Sequence, residues 1–213
     1  VKKEVEKIKS AFGGFASPIL FFSDSKNFRK KIYPDYKGHR NRKKPCGYKR
    51  VIRNLRIEYD VIVMPELEAD DAMGIYATQH PGNVVVSPDK DMKQIAGKLY
   101  DLETSKDITA EEGARWHLIQ TLAGDQTDGY SGVPGIGVKR AETLFNKEGY
   151  SWSTVVKAFE DKGLTETDAL TNARLARILT IDDYDTKRQE PKLWTPESTY
   201  EVNSGTGLQD ESD

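Results

Sequence analysis

Carboxylates are the residues of this chain whose types and spacing could do chemistry. Asp24 comes soon after Phe22; Glu68, Asp70 and Asp71 come soon after Met64; Asp89 and Asp91 follow Ser87; Asp125 and Asp128 follow Ala123 and Gly124. Each group falls where an apolar run has just ended, and open α/β sheets build their active sites at such ends. Gathered at one edge, so many carboxylates would repel one another and raise each other's pKa unless cations sat among them. Oxygen donors without clustered His or Cys suit a hard ion, Mg²⁺ first and Mn²⁺ as a substitute. Two such ions can activate a water, hold a phosphate and stabilise a leaving oxygen, so phosphodiester hydrolysis would need no nucleophilic side chain. Taken alone, Glu68, Asp70 and Asp71 read as a helix cap favoured by the dipole, and Asp125 with Asp128 as a helix-stop turn. Recurrence at four element ends favours one shared site.

The cations are segregated from these acids. Residues 1–60 carry 17 Lys and Arg against 6 Asp and Glu, while the remainder carries 15 against 28. From Lys26 to Arg56 thirteen Lys and Arg, including Arg29, Lys37, Arg40, Lys43 and Lys44, face a single acid, Asp35. So dense a block repels itself unless a polyanion is near, and nucleic-acid phosphate is the commonest. Tyr33, Tyr36 and Tyr48 are interleaved with it, as stacking on bases would require.

The elements that would position these residues can be read from periodicity. Val1, Val5, Ile8 and Phe12 mark an amphipathic helix ending at Gly13 and Gly14. Ile19–Phe22, Tyr59–Met64 and Asn83–Ser87 read as buried strands of a parallel sheet, with Lys98–Leu102 as a further strand. Tyr48, Val51, Ile52 and Leu55 mark one intervening helix; Ala69, Ala72, Met73 and Tyr76 mark another. Alternating strands and helices predict a doubly wound α/β core over residues 1–108, with a basic segment at about 26–58. From 109 to 196 the pattern turns helical, with a stripe of Ala114, Leu118 and Leu122 and a helix from Ala169 to Leu179 that puts Arg174 and Arg177 on one face. Residues 197–213 are acidic and aperiodic and read as a disordered tail. No apolar run approaches a membrane span, and lone Cys46 cannot form an internal disulfide, so a reducing cytoplasm is expected; the chain is also expected to be a monomer.

Gly132-Val133-Pro134-Gly135-Ile136-Gly137-Val138-Lys139-Arg140 is a tight turn opening a helix, where exposed amides favour phosphate. Following two aspartates and carrying Lys139 and Arg140, it fits a helix-hairpin-helix grip on a DNA backbone.

Taken in order, Phe22-Ser23-Asp24, Tyr33-Pro34-Asp35-Tyr36-Lys37-Gly38-His39-Arg40, Glu68-Ala69-Asp70-Asp71, Asp89-Lys90-Asp91, Gly124-Asp125-Gln126-Thr127-Asp128 and Val133-Pro134-Gly135-Ile136-Gly137 resemble the motifs of the 5′-nucleases. That family includes phage exonucleases, flap endonucleases and the small nuclease domains of bacterial DNA polymerases. The resemblance runs from about Ile19 to Pro196 and is nearest to the short exonucleases of tailed phages. It implies a PIN-like parallel-sheet nuclease core with a C-terminal helix-hairpin-helix region. The implied activity is 5′-to-3′ exonuclease or flap endonuclease action on 5′ ends, flaps and nicks of duplex DNA, and on RNA primers, in the host cytoplasm if the source is a phage. It implies two Mg²⁺ sites, with Asp24, Glu68, Asp70 and Asp71 at one and Asp89, Asp91, Asp125 and Asp128 at the other. Lys37 and Arg40 match the arch-base cations that contact the scissile phosphate; Gly135 and Gly137 become candidates to hold K⁺ through their carbonyls. Members of the family begin with a strand ending in a metal-binding aspartate, which the resemblance places before Val1. The rival expectations are a non-catalytic DNA-binding module and an RNA-cleaving nuclease of a related fold.

Overall fold

Short, mainly apolar runs form the strands after which the acids of the first unit lie. The computed structural model describes residues 2–13, 17–40 and 46–196. Lys43, Lys44 and the expected tail lie outside the described residues. After helix α1 (Lys2–Ala11) come β1 (Ile19–Phe21), short α2 (Arg29–Ile32), α3 (Tyr48–Glu58), β2 (Asp60–Ile62), α4 (Ala69–Gln79) and β3 (Val84–Val86). A 3₁₀ turn at Lys90–Gln94 leads to β4 (Gly97–Tyr100) and β5 (Ser105–Ile108). The pairing is parallel between β1 and β2, with Leu20 opposite Val61, and between β3 and β4, with Val85 opposite Leu99. Strand β5 closes the second sheet antiparallel to β4. Its Ser-Lys-Asp-Ile sequence is exposed at three of four positions, so no apolar alternation announced it.

The chain then forms α5 (Ala110–Ala123), a two-stranded ribbon of β6 (Gly124–Asp125) and β7 (Tyr130–Ser131), α6 (Val138–Glu148), α7 (Trp152–Glu160) and α8 (Glu166–Ala176). A 3₁₀ turn at Ile181–Asp183 and the ribbon β8 (Tyr184–Asp185) and β9 (Glu190–Pro191) follow. By packing, the chain divides into Val1–Gly113 with Ile178–Pro191, and Ala114–Arg177 with the chain from Lys192 on. Among the described residues no helix is long and apolar enough to cross a membrane.

In the first unit the returning segment shares the core. Leu179 and Tyr184 pack with Phe28, Leu67 and Ile75, while Ile178 joins Met92, Ile95 and Leu99. The expected helix to Leu179 stops instead at Ala176, and Arg177 is extended at φ −64° and ψ 122°, so Arg174 and Arg177 do not share a helical face. The reason lies in hydrogen bonding. Ile178 N–H donates to Gln94 Oε1 and Leu179 N–H to Asp71 Oδ1, so neither amide is left for a helical carbonyl. In the second unit Leu118, Leu122, Val133, Phe145, Val155, Phe159 and Ala169 form the centre.

Gly74, in the middle of α4, is where the returning segment comes closest. A Cβ there would stand 2.3 Å from the Leu179 carbonyl oxygen and 2.8 Å from Ile95 Cδ1. Backbone cannot yield as a flexible side chain can, so Gly74→Ala is expected to destabilise the protein by about 1–3 kcal/mol. A denaturant midpoint lowered at unchanged slope checks this; an unchanged midpoint would mean that the segment moves aside freely.

Candidate active site

The start of α4 gathers the acids of the first unit. Leu67 and Ala72 are wholly buried and fix this turn in the core, while Glu68 takes an extended N-cap conformation, φ −79° and ψ 162°. The amides and dipole of a helix start favour negative charge, which makes room for Asp70 and Asp71 in the first turn. Asp71 Oδ2 accepts from the Glu68 N–H at 3.3 Å, so the capping suggested by residue type is real as well.

Asp24 is tied to the loop leading into this turn. Its Oδ2 accepts from Glu66 N–H at 2.9 Å and its Oδ1 from Ser25 N–H at 2.6 Å. The Glu66 bond first, and the Ser25 bond next, hold its pKa below the ordinary carboxylate value. Ser23 Oγ in turn accepts from Ala69 N–H. Asp89 is exposed and caps the following 3₁₀ turn, its Oδ1 accepting from Asp91 N–H at 2.9 Å. Asp91 is half-buried.

Asp70 is the group under greatest electrostatic stress. With Ser87, Pro88, Asp89 and Lys90 it lines an open cleft of about 590 Å³. Burial, then the charges of Asp89, Asp71 and Glu68, push its carboxyl up to about 7, with Lys37 opposing. Glu68 goes the other way. Burial is the largest influence and would raise it, but Arg29 and Lys37, with hydrogen bonds from Lys37 and Tyr36, together hold it low. Lys37 Nζ donates to Glu68 Oε1 at 2.5 Å and Tyr36 hydroxyl to Oε2 at 2.9 Å. Lys37 is itself in the left-handed region, φ 54°, which a non-glycine residue adopts at a cost.

Residue type alone misplaced Arg29. Counted with the phosphate-facing block, it is instead 1% exposed and paired with Asp71 through both guanidinium nitrogens, at 2.6 and 2.8 Å. Tyr36, expected to be free for stacking on bases, is 2% exposed. Nothing in the residue types of the basic block set Arg29 apart from its neighbours. Arg40 is half-buried.

The remaining acids belong to the second unit. Asp125 ends β6, and its Oδ1 accepts from Thr127 N–H at 2.7 Å and Asp128 N–H at 3.3 Å, closing the turn to β7. In the glycine turn Gly135 has φ +80° and Gly137 caps α6, with Lys139 and Arg140 exposed in its first turn. Arg140 Nη1 donates to the Gly135 carbonyl at 2.6 Å, so a cation from the chain already meets one of the two carbonyls expected to hold K⁺.

The first unit's Asp70, Asp89, Glu68 and Asp24 are hard oxygen donors, and the mutual repulsion recorded by Asp70 is what a bound cation would relieve. Among the described residues no three such side chains already form a closed cage. Glu68 and Asp71 are turned to Lys37 and Arg29 instead.

Parallel strands with acids at their ends and a helix start between them define a resolvase-like α/β nuclease domain. Residues 9–115 match the family model of the 5′-3′ exonuclease N-terminal resolvase-like domain. The exodeoxyribonuclease of Enterobacteria phage T3 is 34% identical over 92% of this chain and 78% of its own length. The exonuclease of Escherichia phage T7 is 33% identical over 91% and 78%. The T5 flap endonuclease, solved in a complex with DNA and metal ions, superposes with a TM-score of 0.65 at 16% identity, over 82% of this chain and 78% of that one. The chain belongs to the 5′-3′ exonuclease family and is a nuclease.

The raised pKa has a consequence for stability in metal-free buffer. Near neutrality the folded protein keeps on Asp70 a proton that the unfolded chain, with its ordinary value of 3.8, has released. Stabilisation from this group is therefore full below the ordinary carboxylate range and is lost as pH rises through about 7. With chelator present, the melting temperature should fall between about pH 5 and about pH 8. Asp70→Asn should flatten that fall, and equal slopes in the two proteins would refute the assignment.

Proposed function

We propose that this chain hydrolyses phosphodiesters at the 5′ ends and flaps of duplex DNA, using two Mg²⁺ ions for which Mn²⁺ can substitute. The observation that carries this reading is the crowding of Asp70 against Asp89, Asp71 and Glu68 at a cleft, within a chain of the 5′-3′ exonuclease family. Asp24, Glu68, Asp70, Asp89 and Asp91 are the first unit's candidate metal ligands, and Asp125 and Asp128 are the second unit's. When bound, the ions supply a polarised water and neutralise charge developing on the phosphate oxygens.

The chain's own residues contribute binding and orientation. Lys37 stands beside Glu68 with its ammonium 5.0 Å from the Tyr36 ring centroid, a cation at the rim of the acid cluster. There it would orient the scissile phosphate and meet its developing charge, with Arg40 close to it in sequence. The basic segment around it, Lys43 and Lys44 included, would bind backbone phosphates without reading sequence. Lys139 and Arg140, at the start of α6, would grip the duplex through a helix-hairpin-helix, with backbone amides of the Gly135–Gly137 turn contacting phosphate. A K⁺ ion at the Gly135 carbonyl would have to displace the Arg140 guanidinium that already donates to it. We place the protein in the cytoplasm as a monomer acting on nicked and flapped DNA.

Asp89→Asn should abolish Mg²⁺-dependent cleavage of a labelled 5′-flap duplex while leaving DNA binding intact, since it removes a ligand and a charge that repels substrate. Cutting at the wild-type rate would refute the metal site. Lys37→Ala should lower the single-turnover rate by about 10²-fold or more and weaken binding far less. Equal losses in rate and binding would return Lys37 to the general basic surface.

A further inference from the structure

Asp71 differs from its acidic neighbours in having no oxygen to spare. It is fully buried in the first turn of α4. Oδ1 accepts from Arg29 Nη2 at 2.8 Å and from Leu179 N–H at 3.3 Å; Oδ2 accepts from Arg29 Nη1 at 2.6 Å and from Glu68 N–H at 3.3 Å. A carboxylate has about four acceptor sites in its plane, and here four donors address them. Asp70, one residue earlier, faces the cleft with Asp89. Successive helical residues point to different sides, so the Asp70-Asp71 pair is divided between two tasks.

Arg29 is equally committed. It stands on α2 with 1% exposure, its guanidinium 4.7 Å from the Phe28 ring centroid and 5.8 Å from that of Tyr36. Nη1 also lies 3.5 Å from Glu68 Oε2, the oxygen that accepts the Tyr36 hydroxyl. Tyr36 precedes Lys37, whose ammonium takes the other Glu68 oxygen. The buried pair of Arg29 and Asp71 thus joins the segment bearing Lys37 to the helix start bearing Glu68 and Asp70, and, through Asp71, to the returning chain at Leu179. A buried charge is tolerated only when matched, so neither Arg29 nor Asp71 can lose the other without consequence.

We propose that Arg29 is a positioning residue for the nuclease reaction: its buried fork-to-fork pair with Asp71 sets Glu68 and the Lys37 segment against Asp70, and Asp71 serves this pair instead of a metal ion. The inference rests on the metal-dependent reading above, and it assigns to the two adjacent aspartates roles that their sequence does not distinguish.

The test uses the full chain and five variants. Wild-type protein is first assayed for Mg²⁺-dependent flap cleavage; failure there sinks the metal-dependent reading itself, whatever the variants do. Metal binding is read separately, by Mn²⁺ titration without DNA, and folding by thermal melting. Arg29→Met and Asp71→Leu should each melt well below wild type, because each strands a buried charge. The double variant Arg29→Met with Asp71→Leu should recover much of that loss and bind Mn²⁺ within about threefold of wild type, whereas Asp70→Asn should lose about tenfold or more. A folded double variant that loses Mn²⁺ affinity as severely as Asp70→Asn would make Asp71 a metal ligand and overturn the proposal.

Arg29→Lys keeps the buried charge but loses the planar fork, and decides the matter if the double variant fails to fold. Its folded protein should bind Mn²⁺ and DNA normally while kcat falls about tenfold or more. A kcat equal to wild type per folded molecule would reduce Arg29 to a stabilising residue and overturn the proposal.

Discussion

Like charges confined at one helix start are the constraint around which the first unit is organised. Glu68, Asp70 and Asp71 occupy a single turn, with Asp89 close to Asp70, and such a set cannot all be ionised in a partly buried place without compensation. Compensation comes in three physically different forms. Arg29 neutralises Asp71 inside the protein, Lys37 neutralises Glu68 at its edge, and Asp70 retains a proton up to about pH 7. The helix dipole and the amide of Glu68 add a smaller favourable field.

These unequal solutions set the three acids of the turn in different electrostatic states. A carboxylate whose acceptor sites are filled by a guanidinium and two amides is settled, while one whose proton is held by repulsion is ready to exchange it for a cation. Asp71 and Asp70 stand at these extremes although they are adjacent and identical in type. Lys37 is intermediate: its ammonium balances Glu68, yet its backbone is in a conformation that only surrounding structure can hold.

The hairpin region shows the same economy of charge. Asp125 closes its own turn through the amides of Thr127 and Asp128, and Arg140 folds back on the Gly135 carbonyl. Asp125 and Arg140 thus each have partners within the hairpin region.

Much of this was already determined by the sequence. The apolar runs at Ile19, Val61 and Val84 define strands because three consecutive branched or aromatic residues suit a pleated sheet, and the acids just beyond them mark the strand ends. The ordered motifs placed the chain in its family, since each residue type and interval is local information. What tertiary structure alone decided was the partnership of distant residues. Arg29 and Asp71 are far apart in the chain, and nothing in a run of thirteen cations reveals which one enters the core. Likewise the helix beginning at Glu166 stops at Ala176, before its apolar pattern ends, because the amides of Ile178 and Leu179 find side-chain acceptors from remote parts of the chain. Strand β5 was hidden for the same reason: its backbone is held by β4, and pairing of that kind leaves no trace in side-chain type.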